Sequence, residues 1–306
     1  MKNKVIIFIH GLAEKPKEQD LHNLWKQVVL ANLEQIDIKV DENIFKFAYW
    51  ADFIPTHIPT SRSYHQDIKK SVSNLIRLRK KVGSDFHIGA GDAVKYFFAD
   101  RGAQVLDIFT NALTIKDDLI VRYLDEIKLY TKDQYIADTL RNSLEKKLSA
   151  AWDSGKEVMI ISHSMGTIIA FDVLWRFSHS QLPKYKKYRK NYVSNLTTMG
   201  SPLGDNAVKD FLLNRKSNKS EATFYPTNIR AWHNYSAVGD VVCFDQSLAD
   251  DYMDRMCKLQ VLKDFREYTN LYNPFVYGSG KANAHKSFGY LAQPKLAKWI
   301  GKFLLE

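Results

Sequence analysis

The chain has 306 residues, 45% hydrophobic and 25% charged, a globular balance that argues against a disordered or fibrous protein. No run approaches the roughly 18 apolar residues of a membrane span, and the two cysteines, Cys243 and Cys257, lack the spacing of a disulfide or metal framework. The net charge of +10 gathers in "KKSVSNLIRLRKK" (69–81) and "KYKKYRK" (184–190), and no nucleic-acid motif accompanies it.

Residues 4–9 are apolar and β-branched, which predicts a buried strand; the run is too short for the apolar stretch of a secretion signal. "HGL" (10–12) breaks it. Asp20 is expected to cap a helix with Leu21, Leu24, Trp25, Val28, Val29 and Ala31 at three- and four-residue spacing. "NIFKFAYW" (43–50) alternates as a strand. Strand, helix and strand make a βαβ unit, which implies a parallel sheet.

Residues 51–115 are expected to leave the sheet as an inserted lid or flap. "IPTHIPT" is a loop, and Ile68, Val72, Leu75 and Ile76 then share one helical face before "GSDFHIGAGD" breaks the pattern. From 116 to 152 the pattern is helical, with Ile136, Leu140, Leu144, Leu148 and Trp152 every fourth residue, and Gly155 ends it. A strand over 158–161 is followed by a helix from Met165 that carries Ile169, Val173 and Phe177 on one stripe. Further strands are expected at 192–200, 228–236 and 265–272, with helices at 205–213 and 247–263 and a closing amphipathic helix in "PKLAKWIGKFLLE". The whole, 1–306, reads as a single α/β domain: a doubly wound, mostly parallel sheet with helices on both faces. Chemistry in such a sheet belongs at the carboxyl ends of its strands.

One junction meets that condition. In "VMIISHSMGTIIAF" an apolar strand runs into a helix, and Ser164 stands at the turn between small residues, Ser162 and Gly166. Two readings are open. Either serine can start the helix as an N-cap, or Ser164 is a nucleophile held in strained backbone, where its neighbours must be small. A nucleophilic serine needs a base, and the base an orienting acid; in this architecture the chain order should be Ser, then Asp or Glu, then His. Asp240 in "SAVGDVV" and His285 in "ANAHKSF" follow predicted strands in that order. Asp205 and Asp245 are rival acids. Asp172 and His179 are too far along the helix, at about 1.5 Å per residue. His163 adjoins Ser164 but should point away from it, and His233 lies within a strand. A tetrahedral intermediate needs two backbone N–H donors: Met165, after the nucleophile, and Leu12, where Gly11 lets the chain turn close to the site. His10 is expected to hold that loop through a hydrogen bond.

"FIHGL", "ISHSMG", "TMGSPLG", "GD" (239–240) and "AH" (284–285) resemble the α/β-hydrolase superfamily, in its lipase and serine-esterase branches. "HGLAEKP", "FAYWAD" and "SMGTIIAFDVL" are similar to a bacterial group of largely uncharacterised hydrolases. The resemblance covers most of the chain as islands. It implies Ser164 as nucleophile, His285 as base, Asp240 as acid, and Leu12 and Met165 as oxyanion donors. Gly200 and Ser201, in "GSPL", would shape the floor of the site. Ser162, where the pattern has glycine, departs from it.

The expected activity is hydrolysis of a carboxylic ester, of a small molecule or a lipid, through an acyl-enzyme. The alternatives are a thioesterase or amidase with the same residues, or a hydrolase-fold binding protein without activity. No cofactor and no metal are expected; Asp250, Asp251 and Asp254 read as helix surface. The protein is expected in the cytoplasm. Its basic stretches are read as solvated surface first and as a peripheral contact with anionic membranes second, with no nucleic-acid partner.

Overall fold

Val5, Ile7 and Ile9 point to one side of the first strand, and Ile6 and Phe8 to the other; all five are 2% exposed or less. A strand buried on both faces must sit inside a sheet covered on both sides. The computed structural model describes residues 3–12, 15–54, 61–82, 127–215, 223–243 and 245–306. Six strands form one sheet: β1 (Lys4–Ile9), β2 (Phe45–Ala48), β3 (Glu157–His163), β4 (Val193–Met199), β5 (Ile229–Ala237) and β6 (Asp264–Leu271). Their order is β2-β1-β3-β4-β5-β6, and every neighbouring pair is parallel.

Two apolar clusters cover the faces. On one, α1 (Glu18–Glu34), α2 (Arg62–Val82) and, near the chain end, the helix Pro294–Leu305 pack with Ile6 and Phe8 through Trp25, Val29, Val72 and Ile300. On the other, α3 (Gln134–Asp153) and α4 (Met165–His179) pack with Val5, Ile7 and Ile9 through Leu140, Leu144, Ile169 and Val173. α4 is buried almost all round, because α3 covers its outer side. Each such fully buried aliphatic side chain contributes roughly 1.5–3 kcal/mol by leaving water.

Three expectations are corrected. α1 begins at Glu18 with Lys17 at the cap position, so Asp20 lies in the first turn beside Glu18, where its charge meets the helix dipole. The helix expected over 247–263 is broken into a wide turn, Ala249–Met253, and a short helix, Asp254–Lys258; Gln260 at φ 57° then turns the chain out of it. Leu248, Tyr252 and Met256 are buried and keep one helical stripe, which is what the spacing detected. β3 runs beyond 158–161 because Ser162 and His163 stay in register with Thr198 and Met199 of β4. The lid expected over 51–115 falls largely outside the described residues; its described part is a short turn, Ala51–Phe53, and α2, which packs on α1. Among the described residues no helix is long and apolar enough to cross a membrane.

Candidate active site

Ser164 joins β3 to α4 at φ 54° and ψ −130°. Backbone in that region costs a non-glycine residue on the order of 1–3 kcal/mol and persists only where its surroundings enforce it. Two contacts do so here. Ser164 N–H donates to the Met199 carbonyl of β4 at 3.0 Å. Gly166, at the start of α4, lies so close to the end of β1 that a Cβ would stand 2.5 Å from the His10 oxygen and 2.8 Å from that of Ile9. Gly11 is as close on the other side: a Cβ there would fall 2.4 Å from that of Ser164.

The capping alternative does not hold. Ser164 occupies the N-cap position of α4 without a side-chain cap bond, and its hydroxyl is buried with no hydrogen-bond partner. Ser162 Oγ donates sideways to the Thr197 carbonyl at 2.7 Å, which explains how a serine stands where a small residue is required.

Asp240 and His285 meet. His285 Nδ1 lies 2.8 Å and 2.9 Å from the two Asp240 oxygens. Asp240 Oδ2 also accepts from Tyr290 Oη at 2.6 Å, and Oδ1 from the Val242 N–H at 3.0 Å. Burial pushes the Asp240 carboxyl up, but His285, Tyr290 and Val242 outweigh it and hold the group below the usual carboxylate range. An ionised Asp240 only accepts, so Nδ1 of His285 carries the proton in this contact. Gly200, at φ 54°, follows the carbonyl that holds Ser164 and lies under this pair; a Cβ there would be 2.9 Å from Asp240 Oδ2 and 3.1 Å from the His285 ring.

His163 and His10 have supporting places. The His163 ring packs 4.7 Å from that of His285, and its Nε2 donates to the His285 carbonyl at 2.7 Å. Burial above all, with the neighbouring His285, Lys15 and Lys286 adding to it, holds the His163 pKa well below its ordinary value. His10 Nε2 accepts from the Trp50 N–H at 3.1 Å, so its Nδ1 donates to the Gly11 carbonyl at 2.7 Å and braces the loop. Met165 opens α4, where the first N–H groups lack intrahelical acceptors. The Leu12 carbonyl accepts from the Lys15 ammonium. Ser201 Oγ lies 3.0 Å from Thr167 Oγ1, which donates to the Ser164 carbonyl at 2.7 Å.

No protein-family model and no curated protein sequence matches the chain.

The competing residues are engaged elsewhere. Asp205 caps the short helix Asn206–Phe211 by accepting from the Val208 N–H, and Asp245 accepts from the Ser247 N–H. Asp172 is fully buried against Arg141 and Tyr130. His179 contacts the Tyr225 carbonyl, and His233 stacks 3.5 Å from the Trp299 ring. Asp251 pairs with Lys209, and among the described residues no group of three or more His, Cys, Asp or Glu side chains is placed to hold a metal. Tyr290 was not legible in the sequence: nothing in "SFGYL" marks a hydroxyl aimed at Asp240. The role of His163 was signalled only by its place beside Ser164.

A cavity of about 260 Å³ opens beside this arrangement, bounded by Gly11, Leu12, His163 and His285. Ser164 is 1% exposed and lies just behind its wall, against Gly11.

Proposed function

We propose that the protein is a serine hydrolase that cleaves a carboxylic ester by acyl transfer. The observation that carries this reading is the strained, non-capping Ser164, whose buried hydroxyl has no hydrogen-bond partner, held by the Met199 carbonyl next to Gly200, over which the Asp240–His285 pair packs. A buried hydroxyl without a hydrogen bond costs about 1–3 kcal/mol, a cost that a site for a reacting atom explains and a helix cap does not. In this reading His285 Nε2 takes the Ser164 proton as the oxygen attacks the ester carbonyl. Asp240 holds the imidazole in the required tautomer and stabilises the imidazolium. The backbone N–H groups of Leu12 and Met165 would receive the oxyanion. His285 then returns the proton to the leaving alcohol, and water repeats the sequence to release the acid. The resemblance to the lipase and serine-esterase branches of the α/β-hydrolase superfamily supports the same assignment, as does the all-parallel sheet with its candidate residues at strand ends.

Labelling with a fluorophosphonate probe tests it. Parent protein should label, and Ser164→Ala should not. Loss of the nucleophile should lower kcat on a p-nitrophenyl ester by on the order of 10⁶. Equal labelling of both proteins would refute the nucleophile, and no labelling of either would leave a hydrolase-fold binding protein. Thioester and amide analogues in the same assay separate those bond types from esters.

A further inference from the structure

The cavity beside His285 has two kinds of wall. Leu21, Ile68 and Phe288 make it apolar, while Lys15 and Lys286 make it cationic. Among its described lining residues there is no carboxylate.

Lys286 follows His285 directly, and one turn fixes both. Asn273 Nδ2 donates to the carbonyls of Ala284 at 2.7 Å and Lys286 at 2.9 Å. Asn283 accepts the His285 N–H at 2.9 Å and donates to Tyr277 Oη at 3.1 Å. The Lys286 ammonium donates to Tyr64 Oη at 3.0 Å and reaches Tyr277 Oη at 3.5 Å. It lies 5.6 Å and 5.3 Å from the centres of those two rings. Its partners are therefore neutral phenols and ring faces, and no described carboxylate pairs with it. An ammonium has three N–H donors, and two are directed here. A part-buried cation has lost water and gains most from an anion brought to it. The two phenols hold the ammonium at the cavity wall without neutralising it.

We propose that this cavity receives an anionic group of the substrate, a carboxylate or a phosphate carried close to the scissile ester, and that Lys286 selects it. The inference rests on the ester-hydrolase reading for the position of the reacting bond. Its test reads binding, so the two can fail separately.

Ser164→Ala protein, which cannot turn over, is titrated with monomethyl succinate, 2-acetoxyethyl phosphate and neutral methyl butyrate, and affinities are taken from NMR shift changes. At least one anionic ester should bind tenfold or more tightly than methyl butyrate, and the stronger of the two identifies the anion. Adding Lys286→Gln should bring all three within twofold of one another, while Lys286→Arg keeps most of the preference. Equal binding of the three esters, or a preference that survives Lys286→Gln, overturns the assignment. Should Lys286→Gln fail to fold by circular dichroism, the Cε resonance of Lys286 in the Ser164→Ala protein decides. It should move with the anionic esters and not with methyl butyrate; a resonance that no anion moves overturns the proposal. Failure of fluorophosphonate labelling would remove the hydrolase reading and leave these affinities unaffected.

Discussion

At the scale of single residues, the site depends on close approaches that leave no room for a methyl group. Gly200→Ala puts a Cβ against Asp240 and His285 and forces an L side chain into positive φ. The expected outcome is a loss of at least tenfold in kcat/KM, since misplacement on the order of 1 Å costs about 10²-fold. Circular dichroism would establish that the variant folds, and an undiminished kcat/KM would contradict the geometry. Asp240→Asn should cost far more activity than Asp205→Asn, because in the second the asparagine amide still offers an oxygen to the Val208 N–H and keeps the cap. Steady-state kinetics on one ester compares them, and a larger loss in Asp205→Asn would reverse the assignment of the acid. Much of this scale was legible: Ser164, Asp240 and His285 stand in the expected order after strands, and small size at 162 and 166 marked the crossing. Whether a serine caps a helix depends on where its hydroxyl points, and no pattern of residue types records that.

At the scale of elements, α3 and α4 are joined by a buried charge cluster as well as by apolar packing. Asp172 of α4 is fully buried and accepts from Arg141 Nη2 at 3.0 Å and Tyr130 Oη at 2.7 Å, while the Leu213 N–H reaches its other oxygen at 2.9 Å. Removing the cation leaves that carboxylate uncompensated away from water. Arg141→Ala should therefore destabilise the fold by about 3–5 kcal/mol, measured by urea unfolding; a change below about 1 kcal/mol would mean that the cluster relaxes or hydrates. The strands were readable because continuous β-branched runs have few other outcomes, and the long helices because their apolar spacing is regular. The segment 247–263 was not, since one buried stripe serves a wide turn and short helix as well as an unbroken helix. The Arg141–Asp172 pair was equally hidden: in the sequence Asp172 reads only as an acid too far from Ser164, and no residue pattern marks Arg141 as its partner.

At the scale of the molecule, the positive charge is less gathered than the sequence suggests. Lys184 pairs with Glu145, Lys187 with Asp153 and Lys80 with Glu34, and Arg79 turns inward to Asn32. A peripheral contact with anionic vesicles, if formed, should be weak and released by a rise in salt from about 0.01 to 0.15 M, over which the Debye length falls from about 30 to 8 Å. Sedimentation with anionic and neutral liposomes measures it, and binding that ignores salt would exclude an electrostatic contact. Acid sensitivity follows from buried histidines. Burial pushes His233, 3% exposed, and His22 down to about 4, and keeps His163 neutral. Their folded pKa values lie below the unfolded value of about 6.5, so the unfolded chain binds more protons in that window. Stability should be full above about pH 6.5 and fall as pH drops toward 4, with a slope of up to about 1.4 kcal/mol per pH unit for His233 alone. Urea midpoints at pH 7.5, 6 and 5 test this; a midpoint that rises on acidification would contradict neutral burial.

The candidate residues are also spread along the chain in a way that sets the order of assembly. β1 bears Gly11 at its end and lies between β2 and β3, yet β3 is made only after residue 156. A chain halted after β6 would hold all six described strands, Ser164 and Asp240, and still lack His285 and the Tyr290 hydroxyl. Asn32 of α1 then waits for the Leu291 and Gln293 carbonyls, which it binds at 2.8 Å each. During synthesis Ser164 therefore emerges well before His285, and the Asp240–His285 pair forms only once the chain has passed residue 285.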